Sequence, residues 1–213
     1  MAGNKRTMLI ALWVTTGLAV VCMGALPWML NHRGMAEAPQ TIVAQDSGLP
    51  VLFDAPSFSL LDENGKPLDS SQLAGKVWIA DFIFTHCAGI CPMMTENLAR
   101  FQKLTPGSSV EMVSFSVDPE HDTPQVLKKY GAEVKADESR WHFLTAAHRS
   151  QIWEISKGMK LAVGPDTGDQ VMHSSHFLLV DGHGKVRGIY DADTAGFMQK
   201  MIDDSAAVSG TAH

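Results

Sequence analysis

The chain opens with a long apolar stretch and only later alternates between apolar and polar positions. Residues 8–30 carry no charged side chain. A helix of this length would extend roughly 34 Å at ~1.5 Å per residue, which is enough to cross a bilayer. Lys5 and Arg6 precede the stretch, and basic flanks tend to stay in the cytoplasm. We expect a cytoplasmic N-terminus at residues 1–7, a single membrane span at 8–30 and an exported C-terminal part. The alternative is a cleaved signal peptide, but its apolar core would be only ~7–15 residues long.

Beyond this stretch the pattern is that of a linker followed by a folded domain. Residues 31–50 are small and polar, with several Gly and Pro, which is typical of a linker. A domain is predicted over 51–204, and a flexible tail over 205–213. The apolar spacing predicts strands at 57–61, just after 65, and at 77–84, 110–117, 141–144, 176–180 and 186–190. It predicts helices after 91, at 124–135, at 147–157 and at 194–204.

This order of elements predicts an α/β domain with a mixed central sheet flanked by helices, and a thioredoxin-like fold fits it. The run at 77–84 is expected to be a buried central strand. Asp81 interrupts that run and would need a polar partner there. In the helix after residue 91, Met94 belongs to an apolar stripe, and the adjacent Met93 is also expected to pack in the core.

Composition narrows the possible functions. The 213 residues include 45% hydrophobic ones and carry a formal net charge of −6. Such a composition indicates a globular protein and argues against a basic nucleic-acid binder. The three cysteines are too few for a disulfide-stapled scaffold. One of them, Cys22, lies inside the apolar stretch, whereas Cys87 and Cys91 form a closely spaced pair.

The cysteine pair lies where a buried strand gives way to a helix, a common place for ligand chemistry in an α/β sheet. On a helical turn, two side chains four residues apart have Cβ atoms ~5–6 Å apart, so both thiols could hold one metal ion. A disulfide needs ~3.8 Å, so the loop around Gly89 would have to tighten. Soft thiolates favour Cu(I), zinc or iron–sulfur chemistry. Two thiolates would need a further nitrogen ligand, and the residues alone leave open which of the nine histidines supplies it.

Three segments carry a family resemblance: DFIFTHCAGICP, SFSVDPEHDTP and HSSHFLLVDGHGKVRGIYD. In this order, after one predicted membrane span, they resemble the Sco/SenC family of copper proteins over most of residues 55–200. The resemblance implies a membrane-anchored, thioredoxin-like protein that binds copper as Cu(I), with Cu(II) left open. It implies that Cys87, Cys91 and His173 are the copper ligands. In an alternative, metal-free state, the tightened loop around Gly89 would let Cys87 and Cys91 form a disulfide.

Other polar residues near these motifs receive weaker roles. His86 is expected to support the site from the loop beside Cys87. Asp118 either accepts hydrogen bonds near the site or caps the following helix, and both readings stay open. His121 is expected on the surface, and strand alternation predicts that His176 points away from the copper.

The resemblance implies a copper metallochaperone, with no catalytic residue assigned. It would receive copper from an upstream donor and deliver it to the copper-accepting subunit of cytochrome c oxidase, at the dinuclear CuA centre. The chain would be anchored in the lipid of the inner membrane with its C-terminal domain in the periplasm, and would bind no nucleic acid. The alternative is a thiol–disulfide oxidoreductase that reduces the cysteines of the acceptor, or a redox sensor. A peroxidase-like enzyme that uses Cys87 as the peroxide-reactive thiol is supported only by fold analogy and by the DPE segment.

Overall fold

The computed structural model describes residues 48–86, 89, 91–161 and 175–210. The strands in these ranges are β1 (Phe53–Asp54), β2 (Ser59–Leu61), β3 (Pro67–Asp69), β4 (Trp78–Ile83), β5 (Glu111–Ser116), β6 (Trp141–Leu144), β7 (His176–Val180) and β8 (Lys185–Asp191). The helices are α1 (Cys91–Leu104), α2 (Pro124–Glu133), α3 (Arg149–Gly158) and α4 (Phe197–Ser209). A short 3-10 turn, Ser70–Leu73, follows β3.

Six strands form one mixed sheet in the order β1-β8-β7-β4-β5-β6. β4 lies in its interior, parallel to β5 and antiparallel to β7. β6 continues the parallel half, whereas β8 and β1 continue the antiparallel half. β2 and β3 pair separately as a hairpin. This topology confirms the predicted α/β fold with a mixed, thioredoxin-like central sheet.

Side-chain alternation along β4 divides the core into two layers. Trp78, Ala80 and Phe82 pack on the side of the β2–β3 hairpin and α3. Ile79 and Ile83 pack on the other side, with the apolar faces of α1, α2 and α4. All six residues of β4 are buried, because both faces of the strand are covered. The predicted central strand is therefore confirmed.

The turns follow the predicted chemistry. Gly65 has a φ of +73° between β2 and β3, and Gly184 has a φ of +71° between β7 and β8, a region that glycine adopts without a steric penalty. α2 begins as predicted, because the Thr123 hydroxyl accepts a hydrogen bond from the Val126 N–H at 3.4 Å and Pro124 occupies the first helical position.

Two features of the fold differ from the prediction. β1 was not predicted, since two residues are too few to show a period; Phe53 pairs with Val186. The last helix is shifted: it begins after Gly196 and continues to Ser209, not to 204. It continues because Ser205 is buried and Val208 packs against the core, so residues 205–209 are helical.

The N-terminal predictions lie outside the described residues. The proposed cytoplasmic segment at 1–7, the membrane span at 8–30 and most of the linker at 31–50 fall there. In the ranges that the structure does describe, no helix has both the length and the apolar character needed to cross a bilayer.

Candidate metal centre

The segment between β4 and α1 carries the cysteine pair. β4 ends at Ile83 and α1 begins at Cys91, so the motif joins a buried strand to a helix, as predicted. Cys91 is only 2% exposed and belongs to the same core cluster as Met94 and Leu98 of α1. The first residue of the helix is therefore held in place by packing. That is what a precisely positioned ligand or redox thiol requires.

The other two predicted ligands, Cys87 and His173, lie outside the described residues. Within the part of the chain that the structure describes, no three His, Cys, Asp or Glu side chains gather closely enough to hold a metal ion. The ligand set of Cys87, Cys91 and His173 and the alternative disulfide therefore stay predictions.

A buried carboxyl group holds the chain just before the cysteines. Asp122 is fully buried. Its Oδ2 accepts hydrogen bonds from the Thr85 backbone N–H at 3.1 Å and from the Ser116 hydroxyl at 2.6 Å, while its Oδ1 accepts one from the Thr85 hydroxyl at 2.5 Å. Hydrogen bonds to a carboxylate are stronger than neutral ones. Asp122 thus ties the segment after β4 to the segment after β5.

Asp118 occupies a neighbouring ionic network. One of its carboxyl oxygens is 2.8 Å from a guanidinium nitrogen of Arg149, and the other is 2.7 Å from Nδ1 of His121. Arg149 also reaches Glu120 at 3.4 Å. The cap of α2 is Thr123, not Asp118, so the capping interpretation is wrong, and a role for Asp118 near the copper ligands stays a prediction.

His86 lies on the surface beside this network. Its side chain is 66% exposed, and its Nδ1 is 3.2 Å from the Thr85 hydroxyl oxygen. The ring meets that of His121 edge to face, with ring centres 5.8 Å apart. His121 is 65% exposed, which confirms its predicted surface position. The two histidines therefore form a surface pair, and one of them, His86, directly precedes the cysteine motif.

The sheet topology brings a second segment to the same edge. Because β4 and β7 are antiparallel, residues that follow β4 and residues that precede β7 leave the sheet on the same side. Ser175, just before β7, donates a hydrogen bond to Asp191 at 3.0 Å. In β7, Leu178 packs in the layer opposite that of Cys91, and strand alternation gives His176 the same face as Leu178. The predicted orientation of His176 is thereby supported.

Asp81 is the most unusual polar residue near the motif. It is fully buried in β4, and neither carboxyl oxygen has a hydrogen-bond partner of ordinary length among the described residues. Burial raises its pKa to about 7, and the Ser114 hydroxyl across the β4–β5 pair opposes that rise. The expected polar partner of Asp81 is therefore Ser114, at a distance greater than that of an ordinary hydrogen bond. By alternation Asp81 faces the layer that contains Cys91.

Two points escaped the sequence analysis. Met94 is fully buried as predicted, but Met93 is 38% exposed, so its predicted core position is wrong. Met93 lies outside the stripe that Met94 begins, because adjacent helical residues point about 100° apart. Asp122, in the segment SFSVDPEHDTP, has a role that its sequence context does not reveal. A charged residue next to a helix cap gives no sign in sequence that it is buried.

Known proteins that are similar to this chain support the assignment of its strand, cysteine motif and helix to one domain family. The SCO1/SenC family model matches residues 53–208. The chain belongs to the SCO1/SenC family. The match spans every strand of the SCO1/SenC domain described here and nearly all of its last helix, and it confirms the resemblance carried by the three sequence segments.

Individual members of the SCO1/SenC family support the assignment. The SCO1 protein homolog of Bacillus subtilis (strain 168) is 40% identical over 164 residues, which cover 75% of this chain and 85% of the relative. The solved structure of BsSco, described as a member of the Sco family of cytochrome c oxidase assembly proteins with a disulfide switch, has a TM-score of 0.68 at 37% identity, covering 76% of this chain and 97% of that one. Arabidopsis thaliana ScoI, solved with copper bound, has a TM-score of 0.60 at 26% identity, covering 70% and 96%.

Proposed function

We propose that this chain is a copper metallochaperone that binds Cu(I) through Cys87, Cys91 and His173 and delivers it to the CuA site of cytochrome c oxidase. The observation that carries the proposal is the position of the cysteine motif in a SCO1/SenC domain, between the buried end of β4 and the packed start of α1. Copper bound to Arabidopsis ScoI and the description of BsSco as an assembly protein support it.

The topology supports the choice of His173. It precedes β7 by three positions, and Cys87 follows β4 by four. Since these two antiparallel strands are hydrogen-bonded neighbours, both residues belong to segments that leave the sheet at one edge. This common edge supports His173 as the proposed ligand that is distant in sequence from the cysteine motif.

The chemistry of the donor set suits transfer of a soft ion. Thiolates favour Cu(I), and imidazole also binds copper. Two sulfurs and one nitrogen leave a side open, so an incoming thiolate of the acceptor can bind before a resident ligand leaves. Copper is the cargo in this scheme, and it would pass from the upstream donor to the oxidase subunit according to the relative affinities of the sites.

The test is a Cu(I) titration of the reduced, full-length chain in detergent against a chromophoric competitor. Loss of a residue that merely supports a ligand costs ~10–100-fold in metal affinity, so we expect at least that loss for Cys87→Ser and for His173→Ala. His183→Ala is the control, because His183 is exposed in the turn after β7. Wild-type affinity in either ligand variant would refute the assignment.

The second candidate is thiol–disulfide exchange at Cys87 and Cys91, either to reduce the acceptor cysteines or to sense redox state. The disulfide switch described for BsSco, at 37% identity, favours it. This function needs both thiols but no imidazole. Cells that carry His173→Ala would then keep full oxidase activity, whereas copper delivery through the proposed ligand set predicts that the activity is lost.

We also propose that residues 8–30 anchor the protein in the inner membrane with the C-terminal domain in the periplasm. The uncharged run and the basic residues before it support this orientation. Protease added to intact spheroplasts should then digest the domain. Protection of the domain until the membrane is lysed would contradict the orientation.

A further inference from the structure

His86 and His121 form a histidine pair that supplies none of the three proposed Cu(I) ligands. Both side chains are about two-thirds exposed, at 66% and 65%. Their rings nevertheless meet edge to face, although His86 follows β4 and His121 follows β5. Each ring is fixed by a hydrogen bond at Nδ1, and these bonds decide which nitrogen remains available to a ligand.

In His121, Nδ1 donates to a carboxylate. The Nδ1–Oδ2 distance to Asp118 is 2.7 Å, and the other oxygen of Asp118 is engaged by Arg149 at 2.8 Å. A carboxylate paired with an arginine is ionised and can only accept. The proton of the neutral ring is therefore on Nδ1, which leaves the lone pair on Nε2.

In His86, the hydroxyl of Thr85 fixes the same tautomer. That hydroxyl donates its only proton to Asp122 at 2.5 Å, so its oxygen accepts from Nδ1 of His86 at 3.2 Å. The lone pair of the neutral ring again lies on Nε2. No described residue makes a hydrogen bond to Nε2 of either ring.

The separation of the rings lies within the range for one bridging ion, which both exposed side chains would have to face with Nε2. A metal ion ~2.0–2.1 Å from a ring nitrogen lies ~3.2 Å from the ring centre, so the centres of two rings on one ion are ~4.5 Å apart for ligands at ~90° and ~6.4 Å apart for ligands opposite each other. The centres of His86 and His121 are 5.8 Å apart. Metal-binding histidines characteristically donate their second ring nitrogen to a carboxylate or another acceptor, as both rings do here.

We propose that His86 and His121 form a second metal site that binds one divalent transition-metal ion through their Nε2 atoms, with Cu(II) bound most tightly. Imidazole suits Cu(II), and among divalent first-row metals Cu(II) has the highest affinity for a given nitrogen site. Water completes the coordination, since the described residues supply no third ligand at this position. His86 directly precedes the proposed Cu(I) ligand Cys87 in the sequence; use of the second site as an entry point for copper rests on the proposed function.

The test uses an untagged full-length chain in detergent with Cys87→Ser, Cys91→Ser and His173→Ala, so that the Cu(I) site is absent. We expect this parent to bind one Cu(II), with an electron paramagnetic resonance spectrum that shows coupling to two nitrogens. Adding His86→Gln or His121→Gln should weaken binding at least ~10-fold, since removal of a ligand costs no less than removal of its support. Because both ligands serve one ion, either substitution alone should already abolish the two-nitrogen coupling, and the two together should remove the remaining coupling from this site.

His183→Gln and His148→Gln are the matched controls, since both residues are exposed histidines elsewhere on the domain. Unchanged Cu(II) affinity in the His86 and His121 variants, or coupling to a single nitrogen, would overturn the proposal. If the parent does not fold, Zn²⁺ is titrated into the wild-type chain with its thiols saturated by Ag(I), and the same two substitutions must weaken binding. A failed Cu(I) titration together with intact Cu(II) binding would refute only the proposed function.

Discussion

Asp81→Asn should make the protein more stable at neutral and alkaline pH. The Asp81 carboxyl is fully buried in β4, without a hydrogen-bond partner of ordinary length among the described residues. Its pKa is raised by burial to about 7. An asparagine has nearly the same shape, and it resembles the protonated carboxyl because it carries no charge. The substitution therefore removes only the cost of ionising the group inside the protein.

The size of the expected stabilisation follows from the shift in the pKa of Asp81. The pKa of Asp81 rises from 3.8 to about 7, and each pKa unit is worth ~1.4 kcal/mol, so the cost above pH 7 is about 4 kcal/mol. Between these two pKa values the native state holds the proton while the unfolded state has released it, so stability falls as the pH rises. Wild type and Asp81→Asn should be equally stable near pH 4. Their difference should grow to about 4 kcal/mol by pH 8.

The assay is urea unfolding of the metal-free, reduced chain in detergent at several pH values, followed by tryptophan fluorescence. Asp181→Asn is the matched control, because Asp181 is a buried aspartate at the end of β7 that has partners: Arg187 at 2.8 Å and the backbone N–H groups of His183 and Lys185. At neutral pH, the free energy of unfolding of Asp181→Asn should be ~1–3 kcal/mol lower than that of the wild type. A variant at residue 81 that is no more stable than wild type at pH 8 would refute the reasoning.

Two further predictions concern packing around the site and in the sheet. Asp122→Ala removes the acceptor of three hydrogen bonds, which should cost ~3–5 kcal/mol and lower the thermal midpoint by about 10 °C; a shift below about 2 °C in a thermal melt would contradict this. Gly188→Ala would place a methyl group 2.7 Å from Cζ of Tyr190, so the ring must move and the domain should lose ~1–3 kcal/mol in urea unfolding. Unchanged stability of that variant would show that the ring moves without cost.

The fold was largely predictable because its strands are periodic and its turns are explicit. The run at 77–84 is apolar throughout because the strand is covered on both faces. The predicted bounds of β6 and β7 match the structure, since polar or turn residues flank both. The last helix was misplaced because its C-terminal turn consists of small residues, whose burial depends on the helices packed against it.

The surroundings of the candidate site were less predictable. The cysteine motif is visible in the sequence because its spacing has a chemical meaning. The hydrogen bonds from Thr85 to Asp122 join residues 37 positions apart. These residues meet only because β4 pairs in parallel with β5. The pairing of His86 with His121 has the same origin. Such contacts depend on tertiary structure, which local pattern does not encode.

The most direct test of the central proposal is X-ray absorption at the copper edge of the Cu(I)-loaded, full-length chain and of its His173→Ala variant. The proposed ligand set predicts two sulfur neighbours and one nitrogen neighbour in the wild type, with the nitrogen lost in the variant. A wild-type spectrum with sulfur alone, or one that His173→Ala leaves unchanged, would contradict it.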